Sequence, residues 1–513
     1  MSPTVDLIEA ERGRHNALLL RSEGVRVSVG EFADLTRRAA LLLEQRGVRR
    51  GQRVALIEGN TLERLIWQYA VWWLGAIEIS VNNELKGAML DHVLSDSEPE
   101  LVISGEAIDL PTMDVVTIGM STRDLPMFTE EDHGRLVELQ VDIPPETHAT
   151  ILYTSGTTGP SKGVVLPRGY FSNLGAVWAS IVDVGQGDVV YFSQPFFHVD
   201  AHLLLPMCMQ TGAVMAYRRR FSVSCFWADV SRFDATIGIA VGAMLSALTT
   251  TTPPAPDDVS LRCIICAPVP EEAYRYFEDQ LGVPLLAMYG QTEANGVTFE
   301  TPGNRRRGSA GKALSTYDVE IQDEHGQPMP PGAVGEIVYR PLSANIISAG
   351  YWKRDDATRE AWRGLWFHTG DLGLLDADGF LFYKGRLTDS LRRRGENISS
   401  WELETIVRTL PGVDACAAIG IPDPLGGEDR IKIFVATQDP GAFDPRRFFE
   451  ACHRALPRFA VPDLVEVVTE SEFVRGAGTA AIQKHLLSRA VEGPSIHAHQ
   501  TRGDRSPQDR STR

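Results

Sequence analysis

The pattern of apolar and polar positions alternates between two periods in the first part of the chain. Residues 30–48, "GEFADLTRRAALLLEQRGV", place apolar side chains at helical spacing and end in glycine, which predicts a helix. "QRVALIEGN" predicts a short strand, "TLERLIWQYAVWWLGAIEISV" a buried helix leading into a strand, and "LDHVLSDSEPELVISG" a further helix and strand. Strands that alternate with helices predict parallel α/β layers.

After residue 300 the pattern changes to β-formers interrupted by Pro and Gly. "YDVEIQDEHGQPMPPGAVGEIVYRP" predicts a small β-subdomain, and "DADGFLFYKGR" predicts a hairpin with Asp378 and Gly379 at its turn. A new series of helices and strands begins near Trp401 and continues to about residue 490. We therefore place a domain boundary near Arg386 to Thr388.

These patterns predict an α/β protein with three segments. Residues 1–386 form a large, multi-layer N-terminal domain with α/β subdomains and a small β-subdomain. Residues 387–490 form a small α+β domain. Residues 491–513 are rich in Ser, Pro, His and Arg, with few apolar side chains, which predicts a disordered tail.

Composition narrows the class of protein further. The net charge of -17 disfavours broad binding to nucleic acid or to anionic membranes, because both select basic surfaces. Cys263 and Cys266 form a CxxC without a second pair, so we expect reduced cysteines in a buried strand and a cytoplasmic protein. The most apolar window, Leu65 to Val81, is too short and polar to span a bilayer.

Tyr153 to Val165, "YTSGTTGPSKGVV", has the composition of a phosphate-binding loop. It lacks the GxxxxGK[ST] order of the common phosphate loop. Its glycines nevertheless allow backbone N–H groups to approach an anion, its hydroxyls donate further hydrogen bonds, and its lysine supplies charge. The structural alternative is a flexible, glycine-rich hairpin. Apolar residues on both sides predict a loop between two strands.

This loop resembles the signature loop of the adenylate-forming superfamily, which includes acyl-CoA synthetases, peptide-synthetase adenylation domains and luciferase-like ligases. The resemblance covers nearly the whole chain to about residue 490 and is greatest to a free-standing acyl-CoA synthetase. Further motifs follow in the family's order: "PFFHV" at 195–199, "YGQTEANG" at 289–296, "GEIVYRP" at 335–341, "WFHTGDLG" at 366–373 and "GRLTDSLRRRGENISSWELE" at 385–404.

The resemblance implies that a carboxylate is activated with ATP and Mg2+ to an acyl-adenylate, with release of pyrophosphate, before transfer to coenzyme A. Glu293 would bind Mg2+, and Thr292 would contact the α-phosphate. Tyr289 would stack on adenine, Asp371 would accept hydrogen bonds from both ribose hydroxyls, and Lys162 would help to bind the β- and γ-phosphates. Other ATP and AMP contacts would come from Thr154, Ser155, Gly156, Thr157, Thr158, Gly159, Ala267, Pro268, Gly290, Gln291 and Arg386.

The family's GGAP motif is replaced by Ile265-Cys266-Ala267-Pro268, which would reshape the adenine and acyl pocket.

His198 resembles the family histidine near the substrate carboxylate, although a histidine beside aromatic residues is also often structural. Amino-acid-activating domains have an aspartate at this position, so an α-amino acid substrate is disfavoured. The remaining acyl pocket would be formed by Asp200, His202, Val241, Gly242, Met288 and Asn295. This mixture of polar and small residues favours a modest or aromatic acid over a long fatty chain.

Coenzyme A would be bound by Arg394, Gly395 and Glu396, after rotation of a mobile C-terminal domain about a hinge at Thr388. The family usually has aspartate or lysine at this hinge. The run Arg392 to Arg394 could meet the phosphates of coenzyme A or could form a solvated face. "RRRGENIS" is similar to ligases of the crotonobetaine/carnitine group, which is weak evidence for the substrate.

Ala481 is the largest departure from the family. It directly precedes "IQK", where the family has a lysine that binds the carboxylate and α-phosphate. Alanine cannot donate a hydrogen bond to developing negative charge. The lysine was either replaced deliberately, which the otherwise intact site favours, or the protein adenylates poorly by nature. Lys484 lies three residues away and would point elsewhere.

Four functions stay open at this point. The first is a carboxylic acid–CoA ligase acting on a small-molecule acid. The second is an adenylating ligase whose acceptor is a carrier protein or an amine. The third is a light-emitting oxidase, which oxygen uptake would reveal. The fourth is a non-catalytic acyl-nucleotide sensor, which would bind ATP tightly without releasing pyrophosphate. The sequence leaves a homodimer open.

Overall fold

The computed structural model divides the chain into two compact units that are not contiguous in sequence. The first comprises Met1–Asn83, Val93–Thr154 and Lys162–Leu387, and the second comprises Glu84–His92, Ser155–Ser161 and Thr388–Arg513. The residues that the structure describes are 2–105, 116–119, 121–122, 125–127, 129, 132, 134–136, 143–154, 161–386, 390–393, 396–423, 428–437, 440–473, 482 and 484–499.

A nine-stranded sheet forms one layer of the first unit. Its six central strands run parallel, and antiparallel strands complete both edges. In spatial order the strands are Lys312–Ala313, Ala294–Phe299, Leu285–Gln291, Cys263–Ala267, Ile237–Val241, Val189–Phe192, Val214–Tyr217, Leu18–Ser22 and Val25–Ser28. Cys263 and Cys266 are buried and unpaired, as predicted.

A seven-stranded sheet forms a second layer of the same unit. Five of its strands run parallel, and the strand after the signature loop turns back antiparallel to the strand before it. In spatial order the strands are Gly350–Tyr351, Lys162–Pro167, His148–Thr154, Ile77–Val81, Arg53–Ile57, Leu101–Ser104 and Val116–Gly119. The predicted α/β class is confirmed.

An antiparallel five-stranded sheet forms the predicted β-subdomain. Leu381–Arg386 pairs with Trp366–Leu375, and Gly379 occupies the turn between them with a φ of +82°, a value that glycine adopts readily. The predicted hairpin is therefore confirmed. The other strands of this sheet are Tyr317–Gln322, Gly335–Pro341 and Trp362–Arg363.

The helices follow the local signals of the sequence. The helix Val29–Gln45 begins at a capping box in which Ser28 and Glu31 bind each other's backbone N–H groups. Leu62–Trp73 buries three tryptophans in the core of the first unit. The other α-helices are Pro3–Arg14, Gly87–Ser97, Arg168–Val182, Val199–Thr211, Phe226–Phe233, Gly242–Thr249, Glu271–Ala273, Asp355–Ala361, Ser400–Val407 and Pro445–Ala455.

Shorter helical segments complete the helical structure. Tyr274–Gln280 is a π-helix. The 3-10 helices are Pro256–Asp258, Pro440–Ala442, Arg458–Ala460, Glu470–Glu472 and Lys484–Leu486. Within the described ranges, no helix is both long enough and apolar enough to cross a membrane.

The second unit contains a hairpin and a four-stranded sheet. Ser390–Arg393 pairs with Glu396–Ser399 in the hairpin. The sheet has the strand order Ala415–Pro422, Asp429–Ala436, Leu464–Val468 and Ile496–Ala498. Its core includes the helices Ser400–Val407 and Pro445–Ala455, so this unit mixes α and β elements around its own apolar centre.

The predicted disordered tail differs from the structure over residues 491–499. Ile496–Ala498 pairs antiparallel with residues 464–466, and the His499 N–H donates to the Asp463 carbonyl at 2.8 Å. Composition misses this strand because backbone hydrogen bonds, together with one partly buried isoleucine, hold it to the sheet edge. Residues 500–513 lie outside the described residues.

Candidate active site

The carboxyl ends of the central parallel strands bring together motifs that are far apart in sequence. Val241 and Ala267 are register partners at the ends of adjacent strands, and the next strand ends at Gln291. A Cβ added to Gly242 would lie 2.9 Å from the Pro268 carbonyl oxygen, so glycine is needed for this close approach. Ligands of open α/β sheets bind at this edge.

Asp371 is buried and holds two side chains of the YGQTE segment. Its Oδ2 accepts hydrogen bonds from the Tyr289 hydroxyl at 2.7 Å and from Gln291 Nε2 at 2.9 Å. The Tyr289 ring also stacks on Tyr383, with centroids 6.3 Å apart. The structure therefore joins the predicted adenine-side tyrosine to the predicted ribose-binding carboxylate. Asp371 is also in register with Arg386 of the adjacent strand.

Glu336 fixes the turn that carries Asp371. Its carboxylate accepts from the Gly370 N–H at 3.0 Å and lies 2.8 Å from His368 Nδ1. The Thr369 hydroxyl donates to the Ile337 carbonyl at 2.6 Å. Sequence reasoning missed this residue, because the role of Glu336 arises only when its strand pairs with Trp366–Leu375. The motif "GEIVYRP" was the available signal.

Tyr351 lies between Lys162, which is predicted to bind phosphate, and Glu293, which is predicted to bind Mg2+. Its hydroxyl donates to Glu293 Oε1 at 2.7 Å, and the Lys162 ammonium lies 5.3 Å from the centroid of its ring. Glu293 is buried, and its own carbonyl accepts from the Ser348 N–H at 2.7 Å. An ammonium and a carboxylate therefore flank one aromatic ring. Tyr351 carried no recognisable signal in the sequence.

The signature loop is described only at its ends. Thr154 and Lys162 are register partners on the two antiparallel strands. The residues predicted to bind phosphate at Ser155, Gly156, Thr157, Thr158 and Gly159 lie outside the described residues.

Tyr170 ties Thr292 to Asn295. Its hydroxyl donates to the Thr292 carbonyl at 3.0 Å and accepts from the Asn295 N–H at 2.9 Å. Burial raises the pKa of Tyr170, so it stays a neutral phenol that can both donate and accept. The turn that contains Thr292 also requires glycine at position 290, because a Cβ added there would lie 2.4 Å from the Gly296 nitrogen.

The residues predicted to form the acyl pocket divide into two groups: those near the turn that contains Thr292, and His202, which is buried in the core. His198 precedes the helix Val199–Thr211, and its ring centroid lies 4.6 Å from that of Phe197. Asp200 Oδ1 accepts from Asn295 Nδ2 at 2.6 Å, which links two predicted pocket residues. Met288 lies within the strand Leu285–Gln291, partly buried against the core.

His202 is instead found in a buried ionic network. Its Nε2 lies 3.2 Å from Glu78 Oε2, and Glu78 also binds Arg64. The His202 ring stacks on Phe171 at 5.4 Å, and its Nδ1 lies 2.9 Å from the His198 carbonyl oxygen. The sequence predicted an acyl-pocket residue here, because nothing local indicates a partner 124 positions earlier.

We expect Glu78→Leu to lower the free energy of unfolding of the first unit by about 3–5 kcal/mol, because it leaves Arg64 buried without its carboxylate. Burial alone would raise the pKa of Glu78, but Arg64 and His202 bring the net pKa well below its usual value. Its stabilisation is therefore present above the unfolded pKa of about 4.3 and is lost as pH falls through the folded pKa.

Urea unfolding at neutral pH measures this loss. Glu78→Gln also removes the charge but keeps the shape and one hydrogen-bond acceptor, so we expect it to lose less stability than Glu78→Leu. An unfolding midpoint for Glu78→Leu equal to that of the wild type would contradict the assignment of Glu78 as the counter-ion.

In the second unit, Lys484 is bound within its own unit. Its ammonium lies 2.7 Å from Glu404 Oε1 and donates to Ser400 Oγ at 2.7 Å. Glu404 also accepts from the Ala418 N–H at 2.7 Å. The ammonium of Lys484 is therefore held by side chains of its own unit. Ala481 lies outside the described residues.

The predicted coenzyme A segment is described in part. Arg393 binds Asp463 at 2.5 Å and donates to the Val461 carbonyl, so this member of the arginine run is engaged within its unit. Glu396 pairs with Arg393 across the hairpin. Thr388, Arg394 and Gly395 lie outside the described residues.

Among the described residues, no group of three or more His, Cys, Asp or Glu could hold a metal. Binding of Mg2+ does not require such a group, because this ion is usually bound by one or two carboxylates together with substrate phosphates and water. The single carboxylate of Glu293 suits this arrangement.

Comparisons with known proteins agree with this geometry. The family described as "AMP-binding enzyme" matches residues 8–352, and "AMP-binding enzyme C-terminal domain" matches residues 402–475. A crotonobetaine/carnitine–CoA ligase of Escherichia coli O157:H7 is 29% identical over 500 residues, which cover 92% of this chain and 96% of the relative. A long-chain-fatty-acid–CoA ligase of Mycobacterium tuberculosis is 30% identical over 469 residues, covering 88% and 91%.

The fold is also that of a solved structure. The o-succinylbenzoate CoA synthetase of Bacillus subtilis, bound to a product analogue, superposes with a TM-score of 0.82 at 24% identity, covering 94% of this chain and 98% of that one. The resemblance inferred from the motifs is confirmed by the family matches, which cover both units. The chain belongs to the AMP-binding enzymes, the adenylate-forming superfamily.

Proposed function

We propose that this protein is an ATP-dependent carboxylic acid–CoA ligase. The acid and MgATP give an acyl-adenylate and pyrophosphate, and coenzyme A then displaces AMP to form a thioester. One observation carries the proposal. At one end of the segment 289–293, the Tyr289 hydroxyl donates to Asp371. At the other end, Glu293 accepts from the hydroxyl of Tyr351, whose ring lies beside the Lys162 ammonium. A single turn thus links the residues predicted to bind the nucleoside to those predicted to bind the phosphates and Mg2+.

The first step depends on positioning and on stabilisation of charge. Asp371, fixed by Tyr289 and Gln291, accepts hydrogen bonds from the ribose hydroxyls. The acid's carboxylate attacks the α-phosphorus, and the bond to the bridging oxygen of pyrophosphate breaks. Lys162 balances negative charge on the departing phosphates. Glu293 would hold Mg2+, which withdraws charge from these phosphates when it is bound.

Coenzyme A as the acceptor is supported by the relatives, which are named as CoA ligases and match across both units. They are named for different acids, crotonobetaine or carnitine in one case and long-chain fatty acids in the other, so they leave the acid of this chain open. A cytoplasmic location fits a chain that uses ATP and coenzyme A. The homodimer stays a prediction, which sedimentation analysis of the molecular mass would test.

The test is a screen of carboxylic acids for pyrophosphate release, followed by mass spectrometry of the products. We expect acid-dependent pyrophosphate and AMP, and a thioester only when coenzyme A is added. An amide formed from an amine, or transfer to pantetheine as efficient as to full coenzyme A, would favour a different acceptor. Tight ATP binding without pyrophosphate release by any acid, in both this chain and its Ala481→Lys variant, would contradict the ligase.

A further inference from the structure

Two histidines of the second unit bring their ring nitrogens together. His453 lies in the last turn of the helix Pro445–Ala455, and His499 directly follows the strand Ile496–Ala498, 46 positions later in the chain. Their Nε2 atoms are 2.8 Å apart, and solvent reaches both side chains. The structural alternative is a hydrogen bond in which one neutral ring donates to the other. The same two nitrogens are also the atoms with which histidine binds transition metals.

Both rings are held in place by the elements around them. Phe449 and His453 lie one turn apart on the same face of their helix. The ring of His499 packs against both, with centroid distances of 5.0 Å to Phe449 and 4.8 Å to His453. The His499 N–H donates to the Asp463 carbonyl at 2.8 Å, which fixes the backbone. Ligands held in position in this way lose less conformational entropy when they bind an ion.

The separation of the two nitrogens matches a right-angled metal site. At a metal–nitrogen distance of about 2.0 Å, two ligands at about 90° lie about 2.8 Å apart, whereas two ligands at the tetrahedral angle lie about 3.3 Å apart. Square-planar or tetragonal coordination is typical of Cu2+ and Ni2+, and tetrahedral coordination is typical of Zn2+. The pair therefore suits two adjacent positions of a tetragonal ion, with water at the others.

The charges around the pair permit a bound cation. Burial, followed by the neighbouring His453, lowers the pKa of His499, so this ring is neutral at neutral pH. A metal requires the neutral form of the imidazole. Asp463 and Arg393 act on His499 with opposite signs, and they form an ion pair with each other at 2.5 Å. Their charges offset one another beside the two rings.

We propose that His453 and His499 form a binding site for a tetragonal divalent transition-metal ion, Cu2+ or Ni2+. This site is distinct from the one predicted for Mg2+ at Glu293, and it does not depend on the proposed ligase function. The ion joins the helix Pro445–Ala455 to the end of the strand Ile496–Ala498. Because the unfolded chain keeps the two ligands far apart, binding stabilises the attachment of this strand to its sheet.

Calorimetry with NiCl2, without nucleotide and on the full chain prepared without a histidine tag, tests the site. We expect one Ni2+ per chain. His453→Ala and His499→Ala should each weaken the affinity by about tenfold or more, because the second ligand of a pair binds the ion intramolecularly. His325→Ala is the matched control, since this side chain is 77% exposed in the first unit. It should leave the affinity unchanged.

Hydrogen exchange of the His499 amide separates a metal site from a hydrogen bond between the rings. Saturating Ni2+ should slow this exchange by about tenfold or more in the starting protein but not in His453→Ala. A hydrogen bond alone predicts that His453→Ala speeds the exchange without metal and that Ni2+ changes it in neither protein. Absence of Ni2+ binding, tighter binding of Zn2+ than of Ni2+, or an affinity that both substitutions leave unchanged would overturn the inference.

Discussion

Ala481→Lys is expected to raise the rate of ATP–pyrophosphate exchange by about a hundredfold or more. In the family that the motifs resemble, a lysine at this position binds the carboxylate and the α-phosphate while negative charge develops. A well-placed donor to such charge contributes several kcal/mol in the transition state, and alanine contributes none. Lys484 does not replace it in this structure, because Glu404 and Ser400 hold its ammonium at 2.7 Å each.

The control is Ala481→Met, which adds length without charge and should leave the exchange rate within a few-fold of the starting protein. Thioester formation from a supplied acyl-adenylate should change little, because that half-reaction does not require this lysine. An exchange rate that stays the same in Ala481→Lys would refute the catalytic role of the position.

Glu293→Gln is expected to lower kcat/KM for ATP in the adenylation step by about a thousandfold, measured at saturating acid. The amide keeps the size of the side chain and an oxygen for the Tyr351 hydroxyl, which lies 2.7 Å from the carboxylate in the structure. It removes the charge that suits Mg2+. Because the buried turn keeps its shape, lost activity reports lost charge. Pyrophosphate release across a range of Mg2+ concentrations measures the effect.

Tyr351→Phe is the matched variant, because it keeps the carboxylate and removes only the hydroxyl that orients it. Loss of such a supporting contact typically weakens metal binding about 10- to 100-fold. We therefore expect activity that recovers at high Mg2+ in Tyr351→Phe but not in Glu293→Gln. Full activity of Glu293→Gln at ordinary Mg2+ concentrations would contradict the assignment of Glu293 as a Mg2+ ligand.

Local signals predicted the elements of the fold well. The helix predicted at residues 30–48 is Val29–Gln45, and the signature loop connects two strands as its flanking residues indicate. The ordered strand Ile496–Ala498 was missed, because its pairing depends on a partner edge rather than on its own composition. Periodicity reports how a segment buries its side chains, and it does not report which edge is available to a short segment.

Continuous motifs identified the candidate site residues, whereas contacts across the fold carried no signal in the sequence. Tyr289 and Asp371 were identified in separate motifs, and the structure joins them by a hydrogen bond of 2.7 Å. Tyr351 and Glu336 were missed because each acts on a residue far away in sequence, through strand pairing or a buried contact. His202 was predicted to line the acyl pocket together with its neighbours in sequence, whereas its side chain lies in the core beside Glu78.

Transfer of oxygen from the acid to AMP tests the central claim most directly. An acid labelled with 18O in both carboxylate oxygens is incubated with ATP, Mg2+ and coenzyme A, using this chain and its Ala481→Lys variant. If the carboxylate attacks the α-phosphorus, one labelled oxygen stays on phosphorus when the thiol displaces AMP. We therefore predict AMP that carries one 18O, together with unlabelled pyrophosphate. Formation of ADP with label in inorganic phosphate would contradict an adenylate intermediate.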